Sequence, residues 1–407
     1  MNLTVIICIY NTDKRLLFEC LSSVRRSTLA ADYEILLIDD GSDADYADVA
    51  GYFGAIYRKT RNQGHLGARL YGISLARGDY VAFIDSDDTV SLNYHRPMLE
   101  AAERLDADIV MNGWAFQTER TRRVCVKDSA MATEICAEGD ETLLLFTSQR
   151  GREHSYFVLW NKTYRRSLLL EMKARLESVG CADMRLTYSE DALMNFFLFQ
   201  QARKVINLNS GFYFYRIHDG QSITVSGKER LREQIDSMCF TLGIMRENIG
   251  KNKYAAAIKR NIDEWARLMA RSHFSNAKAV GAVELHGYIR KKYGVQKNEM
   301  PTARDGAAYS SCELLGDNFS EIDRTLTDIY FCGKEASASY ERSSKSISRI
   351  IRDMPRRVSY ARRADFYVPK RKIRLRDKLI HNPFVYKIGT LIFKKGSMTR
   401  AFLKKHF

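Results

Sequence analysis

Tyr80-Val81-Ala82-Phe83-Ile84-Asp85-Ser86-Asp87 is a run of apolar and aromatic residues that stops on two carboxylates. A run this short and this apolar reads as a strand buried on both faces. Its acidic end then lies where such a strand leaves the sheet. Two carboxylates at i and i+2 can hold a hard divalent cation, which prefers oxygen ligands and shares itself with substrate phosphates. The competing structural reading is an acidic turn that caps the following helix.

Upstream, the same design repeats. Leu3-Thr4-Val5-Ile6-Ile7-Cys8-Ile9 is a second continuous apolar run and ends in Tyr10-Asn11. Asn11-Thr12-Asp13 supplies capping side chains for a helix over Lys14–Ser27. Tyr33-Glu34-Ile35-Leu36-Leu37-Ile38 is a strand ending in the turn Asp39-Asp40-Gly41-Ser42, and a third short strand is expected near Ala55–Arg58. Asn62-Gln63-Gly64 opens a helix that runs to about Ala76. Strict alternation of strand and helix predicts an α/β fold, a mostly parallel sheet flanked by helices. Ligands of such sheets sit beyond the carboxyl ends of the strands. Tyr10-Asn11, Asp39-Asp40 and Asp85-Ser86-Asp87 all fall there.

After Asp108 the pattern loosens. A strand is expected at Ile109–Asn112, a mobile stretch near 119–140, helices near 141–149 and 189–201, and short strands at Lys204–Asn207 and Phe212–Tyr215. Residues 226–300 carry helical spacing in Leu242, Met245, Ile258, Ile262, Trp265, Leu268 and Met269. The segment 300–340 receives no assignment. The expected organisation is a first domain over 1–225, a mainly helical region over 226–340 and a basic tail over 341–407.

The net charge of +15 is not spread evenly. Between Arg342 and Phe407 there are 20 Lys/Arg and 3 Asp/Glu, whereas the rest of the chain has 44 against 46. The basicity belongs to the tail and points to a polyanionic partner. Lys370-Arg371-Lys372, and then Phe384, Ile388, Leu391 and Ile392 among Lys387, Lys394 and Lys395, suit a helix lying in an anionic membrane interface. A solvated helix face packed on the body is the structural alternative. No nucleic-acid module is recognisable, so nucleic acid is not the expected partner. The eight cysteines (8, 20, 125, 136, 181, 239, 312, 332) show no ligand spacing and read as reduced thiols. The N-terminus has no basic leader, and no apolar run reaches the roughly 18 residues of a membrane span. The expected location is cytoplasmic.

Individual candidates follow from these positions. Asp39 can accept from a base N–H or a ribose hydroxyl, and Tyr10 can stack on a base. The amides after Asn62 favour an anion, and Arg69, one turn further on, can reach a base or phosphate. GxxxxGK[ST] and GxGxxG are both missing, which speaks against P-loop and dinucleotide sites.

Together these stretches resemble family 2 glycosyltransferases of the GT-A fold, of the bacterial cell-surface polysaccharide type. The matching text is Val5 to Asn11, Ile38 to Ser42, Asn62-Gln63-Gly64 with Ala68-Arg69, and Phe83 to Asp88. Trp160-Asn161-Lys162-x-Tyr164-Arg165, Ser189-Glu190-Asp191, and Tyr215-Arg216-x-His218 with Ser222-Ile223-Thr224 follow in the family's order. Cys8 departs from the pattern, which usually has proline before the Tyr-Asn pair.

The resemblance implies roles. Asp39 would contact the base of a nucleotide-sugar donor, with Tyr10, Asn11, Asn62 and Arg69 around the nucleotide and Asp85 and Ser86 near its ribose. Asp87 would ligate Mn²⁺ or Mg²⁺, and His218 would approach the metal or diphosphate. Asp191, beside Glu190, would be the catalytic base, and Trp160 would either pack or stack on an acceptor. The activity implied is inverting transfer of a sugar, from a UDP-sugar in the first instance, to a glycan or lipid-linked acceptor at the inner membrane face. A nucleotidyltransferase and a lapsed, membrane-bound scaffold are the alternatives.

Overall fold

The computed structural model describes residues 2–28, 32–92, 94–118, 124–126, 137–148, 154–217 and 227–296. In chain order the elements are β1 (Leu3–Ile9), α1 (Lys14–Ser27), β2 (Tyr33–Asp39), α2 (Ala47–Phe53), β3 (Ile56–Lys59), α3 (Gly64–Leu75), β4 (Tyr80–Asp85) and β5 (Thr89–Val90). Then come α4 (His95–Leu105), β6 (Ile109–Thr118), β7 (Val124–Val126), β8 (Ala137–Glu138), α5 (Glu141–Ser148), α6 (His154–Phe157) and β9 (Lys162–Arg165). The remainder is α7 (Arg166–Ser178), α8 (Glu190–Gln201), β10 (Lys204–Ile217), α9 (Lys228–Glu247), α10 (Ala255–Ala279) and α11 (Leu285–Tyr293).

One sheet runs in the order β3-β2-β1-β4-β9-β6-β10-β5, with β7 on β6 and β8 on β10. β1 to β4 are mutually parallel, as are β6 and β10, while β9 joins the two groups by antiparallel pairing. The register lines up the carboxyl ends: Ile9 is opposite Asp39, and Cys8 is opposite Asp85. Three acidic or polar strand ends therefore meet along one edge of the sheet.

The strands are apolar throughout because both faces are covered. Leu3, Val5, Ile7 and Ile9 enter a core shared with α1 and α4 residues such as Leu17, Leu21, Met98 and Leu99. Ile6, Leu36, Ile38 and Phe83 enter the opposite core with Leu66, Leu70 and Ile73 of α3. That second core continues through Phe196, Phe197 and Phe199 of α8 into Met238, Leu242 and Met245 of α9 and Ile258, Ile262 and Trp265 of α10. A smaller cluster built on Leu231, Ile235, Ala270, Leu285 and Ile289 binds α9, α10 and α11 together.

Several expectations change. The strands at 204–207 and 212–215 are one strand, β10, with a register shift between Asn207 and Phe212. β7 and β8 occupy part of the stretch expected to be mobile. The helices α2, α4 and α7 and the strand β9 carry no expectation from sequence. The basic tail lies outside the described residues, as does the boundary near 225. Among the described cysteines, Cys8, Cys20, Cys181 and Cys239 are free thiols. Among the described residues no helix is long and apolar enough to cross a membrane.

Candidate active site

The turn after β4 is fastened before it can present any carboxylate. Asp88 is buried and accepts from the Tyr213 hydroxyl at 2.6 Å and the Arg216 backbone amide at 2.7 Å, both on β10. Its own amide donates to the Asp85 carbonyl at 3.1 Å, closing the turn. Ser86 Oγ pairs with Thr12 Oγ1 at 2.8 Å, tying β4 to the end of β1. Asp85 and Asp87 are left half-buried at the rim of the sheet.

Arg69 gathers what the chain separates. Its side chain projects from α3 and is 7% exposed. One guanidinium nitrogen, Nη1, donates to Glu190 Oε1 at 3.0 Å and Asp191 Oδ1 at 2.5 Å. Nη2 lies 3.6 Å from Asp85 Oδ1. The second oxygen of Asp191 accepts from the Leu159 amide at 3.2 Å. Carboxylates 106 residues apart in sequence thus share one cation.

Burial disfavours the charged carboxylates, and they repel one another. Burial pushes Asp85 up to about 7; Arg69 opposes this, and Asp191, Asp87 and Glu190 add to it. Asp191 is also raised, by burial first, against Arg69 and with Glu190. Burial acts on Glu190 in the same sense, but Arg69 and then His65 outweigh it and hold that carboxyl below its usual range. Burial works against the charge of Arg69, yet Asp191, Glu190 and Asp85 keep its pKa high. The neighbourhood holds Asp85, Asp87, Asp88, Glu190 and Asp191 against Arg69 and Arg216, and Arg216 is itself bonded to Glu19 at 2.6 Å. Oxygens of this kind are the ligand type that hard divalent cations prefer. Among the described residues no group of three or more His, Cys, Asp or Glu side chains is placed to hold a metal ion. His218 lies outside the described residues.

The nucleotide-side candidates are distributed as follows. Tyr10 is 55% exposed at the end of β1, and Asn11 adopts a left-handed conformation with φ +49°. Asn11 donates its amide to Ser42 Oγ at 2.9 Å and accepts the Asp43 amide at 2.9 Å, joining the ends of β1 and β2. Asp39 is fully buried and accepts from the Ser42 amide at 2.8 Å and the Tyr57 hydroxyl at 2.6 Å. Asn62 Oδ1 accepts from Arg185 at 2.8 Å. Gly41 has φ +82°, and a Cβ there would stand 2.7 Å from the Asn62 nitrogen, so only glycine permits this approach of the two loops.

Two of the candidates have partners within the chain. The amides at the start of α3 do not wait for an external anion: Asp40 accepts from Gln63 N at 2.7 Å and Gly64 N at 2.8 Å. Arg69 bonds carboxylates rather than presenting itself to a base. Trp160 takes the packing alternative; it is 3% exposed and stacks on Tyr213 with ring centroids 4.2 Å apart. Sequence reasoning gave no role to Tyr57, Tyr213 or Ser189. Tyr57 was accessible to it in principle, because pairing of β2 with β3 sets Leu37 opposite Tyr57, two residues from Asp39.

Residues 4–168 match the family described as "Glycosyl transferase family 2". These residues form a family 2 glycosyltransferase domain. Glu190 and Asp191 lie beyond the matched segment. The chain is 27% identical over 296 residues to the putative glycosyltransferase EpsH of Bacillus subtilis, across 69% of this chain and 82% of EpsH. It is 35% identical over 98 residues to the poly(ribitol-phosphate) beta-glucosyltransferase of Bacillus spizizenii, a match spanning 22% of this chain and 15% of that protein. The fold of S. aureus TarS residues 1–349, solved with UDP-GlcNAc, matches with a TM-score of 0.50 at 16% identity, over 82% of this chain and 93% of that one. The GT-A arrangement expected from sequence is the arrangement observed.

Proposed function

We propose that the site transfers a sugar from a UDP-sugar to a hydroxyl of a glycan or lipid-linked acceptor in surface polysaccharide synthesis, with inversion at the anomeric carbon. The observation that carries this reading is the convergence of Asp85, Glu190 and Asp191 on Arg69 at the carboxyl ends of β1, β2 and β4. A UDP-GlcNAc complex of a protein with this fold, and a relative that glucosylates a polyol phosphate polymer, support the donor and acceptor classes.

Asp191 is the general base. Its carboxylate accepts the proton of the attacking hydroxyl as that oxygen bonds to the anomeric carbon. The bond from that carbon to the diphosphate oxygen breaks in the same displacement, and the diphosphate leaves with the electron pair. Arg69 and the Leu159 amide orient the two oxygens of Asp191 for this task. Tyr10, Asn11, Asp39 and Asn62 line the nucleotide side, and Asp85 and Ser86 the ribose side. Asp87 and His218 would be the protein's contribution to a Mn²⁺ or Mg²⁺ site, and the ion would supply charge neutralisation for the departing diphosphate. The basic tail would dock the enzyme on the inner face of the membrane, where a lipid-carried acceptor lies.

A thermal-shift panel of UDP-glucose, UDP-galactose and UDP-N-acetylglucosamine, with and without Mn²⁺, tests the donor reading. A true donor raises the melting temperature by mass action, more so with the metal. Asp191→Ala and Asp87→Ala should each lower sugar transfer by about 100-fold or more while leaving the melting temperature of the free protein close to wild type. Full activity in either variant contradicts the assigned role, and no shift with any UDP-sugar contradicts the donor class.

A further inference from the structure

Ser189 precedes Glu190-Asp191 in a conformation that its side chain does not favour. With φ +68° and ψ +11° it is left-handed, one of three non-glycine residues with positive φ among those described. The Ser189 carbonyl accepts from Leu193 N at 3.0 Å, one of the earliest backbone bonds of α8. Its backbone angles therefore set the direction in which the first turn, and Asp191 within it, leaves the loop. Strain of this kind persists only where the surroundings enforce it, and it gathers at functional sites.

The enforcing surroundings come from α9. Ser189 Oγ donates to the Tyr188 carbonyl at 2.5 Å and lies 2.9 Å from Thr241 Oγ1. A hydroxyl has one proton, so with that proton on Tyr188 the donor in the second bond is Thr241. Thr241 is fully buried. One turn earlier on α9, Ser237 Oγ accepts the Thr187 amide at 3.4 Å and pairs with the Thr187 hydroxyl at 3.2 Å. Arg230, further back on the same helix, donates to the Thr187 carbonyl at 3.3 Å. One face of α9 thus holds the two residues on either side of Tyr188, just ahead of the acidic pair. Arg69 of α3 holds the pair itself.

We propose that Thr241 and Ser189 are positioning residues for Asp191: helix α9, outside the segment matched to the family, fixes the left-handed turn that aims the base. This rests on the assignment of Asp191 as the base. The loop could relieve its strain by turning Ser189 to negative φ, which would swing the first turn of α8 away from Arg69. The Thr241 hydroxyl opposes that movement without touching a substrate.

The test uses the full chain, release of UDP from the same three UDP-sugars with Mn²⁺, and UDP affinity by calorimetry. Thr241→Val keeps shape and burial and removes the donor. Its kcat should fall about 10- to 100-fold, the range expected of a misaimed catalytic group, while KM for the donor and UDP affinity stay within about twofold. Thr241→Ser should restore kcat. Ser189→Gly should retain more activity than Ser189→Ala, because glycine adopts positive φ without strain. Thr241→Val at wild-type kcat, with Asp191→Ala inactive, overturns the positioning role and leaves the base assignment standing. A parallel loss of UDP affinity and kcat in Thr241→Val also overturns it, since that is the mark of general disruption. Activity in Asp191→Ala overturns the base assignment, and this proposal with it.

Discussion

Asp40 accepts the amides of Gln63 and Gly64, two donors at the start of α3 that would otherwise lack intrahelical partners. Replacing it by alanine leaves both amides to water and should lower unfolding free energy by about 1–2 kcal/mol, as loss of a cap does, measured by denaturant unfolding. An unchanged midpoint would mean the amides find equal partners elsewhere. His95 is a second residue whose effect can be signed. Burial pushes it down to about 3 from 6.5; Nδ1 pairs with Ser27 Oγ at 2.7 Å, and Nε2 is buried without a hydrogen-bond partner. Its folded pKa is depressed, so between about 6.5 and about 3 the unfolded chain binds a proton that the folded chain refuses. The stability it contributes is whole above 6.5 and drains as pH falls, at up to about 1.4 kcal/mol per pH unit. Raised carboxylates such as Asp85 act in the opposite sense, so the informative measurement is the difference between wild type and His95→Gln. The variant should lose less stability between pH 7 and pH 5. At this scale the sequence shows that Asp39 and Asp85 stand at strand ends and that Glu190 and Asp191 open a helix. It does not show that Arg69 would bridge three of them, because that contact joins positions more than 100 residues apart and depends on the packing of α3 against α8.

Elements were legible in proportion to the strength of their own periodicity. β1, α1 and β4 appear within a residue of their expected bounds because burial on both faces of the sheet demands an unbroken apolar run, and α1 shows one apolar stripe. β9 was hidden: Lys162-Thr163-Tyr164-Arg165 is polar by type, and its burial is made possible by partners rather than composition. Lys162 is fully buried and donates to the Val158 carbonyl at 2.5 Å and Asn161 Oδ1 at 2.7 Å. Burial holds its ammonium well below the usual lysine range. Asn195 completes this arrangement from α8, one turn past Asp191. It accepts from the Tyr164 hydroxyl at 2.8 Å and donates to the carbonyls of Phe157 at 2.8 Å and Val158 at 3.1 Å. The network pins α8 to the loop whose Leu159 amide reaches Asp191. Asn195→Leu fills the same space without polar atoms and strips a buried hydroxyl of its acceptor. It should cost about 2–4 kcal/mol, from unsatisfied groups worth about 1–3 kcal/mol each. Equilibrium unfolding measures the loss, and a variant as stable as wild type would show that the network is replaceable by packing.

The described residues share a core that does not respect the division between the α/β part and the helices after it. Trp265 of α10 packs on Phe157 at 4.3 Å and on Phe146 at 6.1 Å between ring centroids. Met238, Leu242, Met245, Ile258 and Ile262 join the same apolar cluster as Phe196, Phe197 and Phe199 of α8. Each of these side chains contributes about 1.5–3 kcal/mol when fully buried. Six of them together rival the 5–15 kcal/mol by which a domain is stable at all. The helical region should therefore be part of the folding unit and not an accessory to it. A chain ending at residue 226 keeps every acidic residue of the site but exposes the aromatic face of α8, and it should lose its cooperative thermal transition. Trp265→Ala is the milder form of the same experiment, with an expected cost of about 3–5 kcal/mol. Calorimetry on the full chain, the truncation and the point variant checks all three. If the truncated chain melted in a single transition at the temperature of the full chain, the two regions would be independent, and the hold of α9 on Ser189 would have to be judged as a contact between neighbours instead of a feature of one core.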